Sequence, residues 1–96
     1  MRRDEAIRIL RDGRAVWEPC GVSRLRLFGS VARDTARADS DVDLLVEFSH
    51  PVGLFELFGL RRELEGILRA PVDLAKPKNL RPELRDKVLA GAIHVA

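Results

Sequence analysis

The sequence predicts a small α/β (α+β) domain, a single mixed β-sheet with helices packed against it. Three observations point there. Residues 41–48, "DVDLLVEF", place Val42, Leu44, Val46 and Phe48 on one face and Asp41, Asp43, Leu45 and Glu47 on the other, the two-residue period of a strand. Leu57, Leu60, Leu64, Ile67 and Leu68 recur instead at helical spacing. Along the whole chain the two periods alternate as α-β-α-β-α-β-α-(β), and 96 residues fit one domain spanning residues 1–96.

Each element has a local reason. Residues 4–17 read as a helix with Asp4 as N-cap and Ala6, Ile9, Leu10, Val16 and Trp17 on its apolar side. Gly13 weakens its middle, and "EPCG" ends it. "SRLRLFG", residues 23–29, alternates basic and apolar side chains and leaves a strand at glycine. "SVARDTA" suits one or two helical turns from Ser30, and "RADS" is a loop leading into the strand at 41–48. "SHPVG" breaks that strand before the leucine-striped helix, whose polar side holds Arg61, Arg62, Glu63 and Glu65. "APVDLA", residues 70–75, is a short strand and "KPKNL" a turn. Residues 82–90 form a helix with Leu84, Val88 and Leu89 inward, and "AIHVA" closes as a last short strand.

Composition narrows the function classes. Seventeen Lys and Arg against 15 Asp and Glu leave a formal net charge of +2, short of the basic excess of a protein that lives on duplex DNA, so direct nucleic-acid binding is not expected. Cys20 is the only cysteine, which excludes an intramolecular disulfide and a cysteine-rich metal site. "MRRDEAIRIL" is charged and amphipathic, unlike a signal peptide, and no apolar run approaches the ~20 residues that span a bilayer. The expectation is a cytoplasmic protein with no membrane role.

The chemistry concentrates between residues 27 and 48. Asp41 and Asp43 leave the same face of one strand, where two like charges repel unless a cation neutralises them. Hard oxygen ligands suit Mg²⁺, or Mn²⁺, with a coordination shell completed by substrate phosphates. Asp73, inside "VDL" of the next strand, reaches the same cluster if the two strands are neighbours, and three carboxylates can hold two metal ions. Upstream, Gly29 and Ser30 stand where a strand meets a short helix: glycine lets the backbone approach an anion, free N–H groups meet phosphate, and the Ser30 hydroxyl adds a hydrogen bond. Arg33, one turn further on, is placed for the same phosphates, with a surface ion pair as its other reading.

"GSVAR" followed by "SDVDLLV" resembles the signature of the DNA polymerase β-type nucleotidyltransferase superfamily. The short chain is similar to its minimal nucleotidyltransferase branch, and "GLFELFGLRRELEGILRAPVDLA", residues 53–75, extends the likeness. The resemblance implies that fold, with Asp41, Asp43 and Asp73 as the metal-binding carboxylates and Asp73 as the one that activates the acceptor hydroxyl. Gly29 and Ser30 would hold the nucleotide phosphates. It implies transfer of a nucleoside monophosphate, AMP from ATP, to a hydroxyl with release of pyrophosphate. It also implies a small all-helical HEPN-domain partner in a toxin–antitoxin pair. Two positions depart from the pattern: Asp34 stands where many relatives have glycine, and Ala38 where proline is frequent.

Plainer roles stand beside these. Ser40 is a candidate nucleotide ligand but more commonly a turn or cap residue. Arg24 and Arg26 suit a solvated strand face, His50 and His94 surface or structural positions, and Phe55, Phe58 and the leucine stripe the core, with any surplus apolar surface available to a partner. Two functions remain open: a metal-dependent adenylyltransferase acting on a partner protein, or a non-catalytic module that neutralises the partner by covering it. Transfer to RNA or to a small molecule is a third, weaker option, because such relatives carry further domains.

Overall fold

The computed structural model describes residues 1–95. Its elements run α1 (Arg3–Asp12), α2 (Arg14–Trp17), a 3₁₀ turn (Glu18–Cys20), β1 (Val22–Phe28), α3 (Gly29–Ala32), β2 (Val42–Phe48), α4 (Leu54–Leu68), β3 (Val72–Ala75), a second 3₁₀ turn (Pro77–Asn79), α5 (Pro82–Gly91) and β4 (Ile93–His94). The order along the sheet is β3-β2-β1-β4. β1 is antiparallel to both β2 and β4, whereas β2 and β3 are parallel, so the sheet is mixed as expected.

The core lies on one face of that sheet. Leu25 pairs with Val46 and Leu27 with Leu44 across the β1–β2 ladder, and all four are fully shielded from solvent. Ala6 and Leu10 of α1, Trp17 of α2, Val31 of α3 and Leu60, Leu64 and Leu68 of α4 close over them. Trp17 spends its one polar group inside the protein, where its indole N–H donates to the Leu10 carbonyl at 2.8 Å. Leu45, on the opposite face, is buried as well.

The helix expected over residues 4–17 is divided at Gly13. A Cβ there would lie 2.8 Å from Ile67 Cδ1, so the break is also the point where the N-terminal segment presses on α4. Asp4 does not cap α1, which begins one residue earlier. The Arg3 amide instead donates to the Asp34 carboxylate at 3.0 Å, a cap supplied from 31 residues away. The one or two helical turns expected from Ser30 reduce to α3, because Asp34 adopts a left-handed φ of 60° that halts them.

Two apolar assignments are corrected. Phe55 and Phe58 are 89% and 51% exposed, with Leu54 beside them at 70%. At about 100° per residue the two phenylalanines fall roughly 140° and 160° around α4 from Leu60, on its outer side. Leu84 of α5 is likewise 49% exposed, while Val88 and Leu89 are half-buried. The Arg85 guanidinium ties α5 to the segment before it, donating to the carbonyls of Pro77 at 3.0 Å and Leu80 at 3.3 Å.

Helix side chains occupy both rims of the sheet. Glu65 of α4 accepts the Val72 amide of β3 at 3.0 Å, and Arg11 of α1 donates to the Val95 and His94 carbonyls at 3.0 and 3.4 Å. Among the described residues no helix is long and apolar enough to cross a membrane. Ala96, the end of the expected last strand, lies outside the described residues.

Replacing Trp17 by Phe removes the indole donor from the Leu10 carbonyl and shrinks a core side chain. Urea denaturation is expected to show a loss of about 1–3 kcal/mol.

Candidate functional site

The site is assembled where β1 stops. Phe28, the last residue of β1, pairs with Asp43 on β2, and the chain must turn away at the next residue. Gly29 makes that turn with a φ of +75°, a conformation that side-chain-bearing residues rarely adopt. Its missing side chain matters as much as its torsion: a Cβ on Gly29 would overlap the Asp43 carboxylate. Glycine here therefore makes room for a carboxylate on the neighbouring strand.

The parallel β2–β3 ladder brings in Asp73. Val42 pairs with Val72, Asp43 with Asp73 and Leu44 with Leu74, so the two carboxylates stand side by side on adjacent strands. The Val42 amide donates to the Pro71 carbonyl at 2.8 Å and continues that contact to the mouth of the ladder, where Asp41 precedes β2. Asp43 is half-buried, whereas Asp41 and Asp73 are exposed. The three sequence-selected carboxylates are thus gathered at one end of two neighbouring strands.

Their mutual effect is visible at Asp43. Burial pushes its carboxyl above the ordinary carboxylate range, the negative charges of Asp73 and then Asp41 push the same way, and Arg33 opposes them. Arg33 follows α3, so its guanidinium acts on the cluster from the Gly29 side. Among the described residues no three carboxylate, histidine or cysteine side chains close into a ready-made cation cage. The arrangement is an open set of oxygen donors, suited to a cation that keeps water or shares a substrate's phosphates.

The remaining candidates divide. Ser30, half-buried in α3, has its carbonyl taken by the Thr35 amide at 2.9 Å. Ser40 acts as a turn residue, its hydroxyl oxygen accepting the Arg37 amide at 2.9 Å. Asp34, the departure nearest the Gly29–Ser30 turn, is directed to the start of α1 rather than into the carboxylate cluster. The Arg3 backbone N–H holds its carboxyl below the usual range, helped by the positive charges of Arg2, Arg3 and the N-terminus. Sequence reasoning missed that capping role, and nothing local in "RDTA" signals it, since the partner is at the other end of the chain segment.

Two outcomes follow from this geometry. Because the folded Asp43 carboxyl titrates above its unfolded value, its ionisation opposes folding: the favourable contribution is complete below the unfolded value and disappears as pH rises through the folded one. Asp43→Asn is therefore expected to raise the melting temperature near neutral pH, with the gain vanishing below about pH 3.9, the unfolded carboxyl's own value. Gly29→Ala is expected to destabilise by more than about 1 kcal/mol, and by less when residue 43 is also alanine. A double-mutant cycle followed by denaturation measures the difference.

Comparison with known proteins identifies the family of the chain. The nucleotidyltransferase domain family matches residues 7–95. The protein adenylyltransferase MntA of Thermococcus cleftensis is 36% identical over 78 residues, covering 81% of this chain and 79% of that protein. A Methanocaldococcus jannaschii protein provisionally named a protein adenylyltransferase is 40% identical over 75 residues, 78% of this chain and 81% of its own. A solved structure provisionally described as a minimal nucleotidyltransferase superposes with a TM-score of 0.81 at 40% identity, over 97% of this chain and 95% of that one. A toxin–antitoxin structure with AMP-PNP shares the fold at a TM-score of 0.69 and 22% identity, over 100% of this chain and 73% of that one.

Proposed function

The chain belongs to the nucleotidyltransferase domain family, and from that membership we propose that it transfers AMP from ATP to a hydroxyl of a partner protein. The partner in this reading is a small helical HEPN-domain protein, and the pair works as a toxin–antitoxin module in the cytoplasm. The observation that carries the reading is the register that sets Asp73 beside Asp43, with Gly29 opposite.

Asp41, Asp43 and Asp73 are the residues that would hold Mg²⁺, or Mn²⁺, as one ion or two. The fit rests on the donor set: three oxygen ligands of like charge, an Asp43 carboxyl raised by burial and then by the charges of Asp73 and Asp41, and an open side left for phosphates. Bound there, such an ion cancels the carboxylate repulsion and polarises the α-phosphate.

The chain's own groups do the rest. Gly29 lets the backbone come close to the triphosphate, the Ser30 hydroxyl donates to it, and Arg33 offers its fork of donors. Asp73 is exposed at the edge-ward strand and accepts the proton of the incoming hydroxyl. One bond forms between that oxygen and the α-phosphorus, the bond to the β-phosphate oxygen breaks, and pyrophosphate leaves. Ser40, engaged in the turn at residues 37–40, acts at most by shaping the approach to Asp41.

A second reading, neutralisation by covering alone, draws on a different observation: the exposed apolar side chains of Leu54, Phe55 and Phe58 on α4. That surface would serve a partner whether or not transfer occurs.

Incubation with a genomic-neighbour helical protein, Mg²⁺ and ATP separates the readings by intact mass. The neighbour is expected to gain at least one AMP, and Asp43→Asn is expected to abolish the gain while the complex persists. An unchanged mass within a stable complex would assign the chain to covering alone.

A further inference from the structure

A cavity of about 440 Å³ opens at the opposite end of β2 from the carboxylates. Val46, Glu47 and Phe48 form one wall, residues 49–52 another and the Lys76–Lys78 turn a third. Phe48 stands five positions along the strand from Asp43, roughly 16 Å away. Its size falls within the usual range for small-ligand pockets.

The charge of this cavity is one-sided. Among the described residues Glu47 is the only carboxylate in its lining, and Glu47 is already committed to Arg26 at 3.0 Å and Arg24 at 3.9 Å. Among the described residues neither Lys76 nor Lys78 has a carboxylate within ion-pair distance. Lys76 instead rests its ammonium 5.7 Å from the centre of the Phe48 ring, an arrangement that holds the cation at the cavity without neutralising it.

Both flanks are set in advance. The Arg85 guanidinium donates to the Pro77 carbonyl at 3.0 Å and to the Lys78 carbonyl at 3.4 Å, which fixes the turn that bears the lysines. Opposite, the His50 ring lies where a side chain on Gly21 would be, and its Nδ1 is 3.4 Å from the Ser49 hydroxyl. The Ser49 amide donates to the Gly21 carbonyl at 2.9 Å, anchoring that flank to the start of β1. Two ammonium groups without a carboxylate partner among the described residues, on a fixed turn that shares the cavity lining with Phe48, Pro51 and Val52, suit an anion attached to an apolar or planar body.

We propose that this cavity is a second ligand site, separate from the carboxylate end, that takes a small organic phosphate. Its phosphate lies between Lys76 and Lys78, and its body packs on Phe48, Pro51 and Val52. The site stands whether or not the chain transfers AMP, because none of its residues belongs to the proposed transfer machinery.

Amide NMR titration with AMP and with inorganic phosphate, in the presence of chelator, tests this. AMP is expected to give saturable shifts at residues 49–52 and 76–78 and to bind several-fold more tightly than inorganic phosphate. Lys76→Gln with Lys78→Gln is expected to weaken that response about tenfold or more. Asp41→Asn with Asp43→Asn is expected to leave it intact. Retained spectral dispersion in each variant shows that the fold persists. Shifts confined to residues 29–33 and 41–43, or loss of the 76–78 response in the aspartate variant, would overturn a separate site. Equal affinity for inorganic phosphate would overturn an organic ligand.

Discussion

Where β1 ends against β2, a carboxylate and a backbone turn compete for one small volume. Phe28 pairs with Asp43, and Gly29 must leave the strand in contact with that side chain. Three properties are fixed by this contact at once. It sets the β1–β2 register, since a slip of one residue would send Asp43 to the core face and Leu44 to solvent. It demands glycine, for torsion and for space. It also delivers the start of α3 to the edge of the carboxylate cluster, so that donors and acceptors of negative charge share one corner of the sheet.

The strand face that bears Asp43 is electrostatically uneven along its length. Towards the far end, Glu47 is balanced by Arg26 and Arg24 on the neighbouring strand. Towards the near end, Asp43 meets another carboxylate, Asp73, in register, and Arg33 opposes the sum. A sheet selected only for stability would extend the first arrangement over the second, because buried or crowded like charges destabilise. The tightly packed opposite face, where Leu25, Leu27, Leu44 and Val46 meet the helices, supplies the stability that tolerates the imbalance.

Much of this was legible in the residues themselves. The alternation over 41–48 located β2 and its two-sided character, and Asp41 and Asp43 follow from period alone. The stripe of Leu60, Leu64 and Leu68 identified the buried side of α4. What escaped is what depends on partners distant in sequence. That Asp73 stands opposite Asp43, rather than a residue away, is decided by parallel pairing of strands 30 residues apart. That Asp34 caps α1 is decided by where two loops meet. Phe55 and Phe58 read as core because aromatic residues usually are, yet their angular position on α4 opposes the stripe that is buried.

The sheet has open rims, as any sheet that is not a closed barrel must, and each rim is a template on which a foreign strand could grow. Here the templates are short, four residues at β3 and two at β4. They are also plugged: the Glu65 carboxylate occupies the Val72 donor on one side, and the Arg11 guanidinium occupies the His94 and Val95 acceptors on the other. A charged side chain at a rim brings hydration that an incoming backbone would have to displace. The same helices that bury the core thereby guard against aggregation, which matters most for a small domain whose outer helix already shows two phenylalanines to solvent.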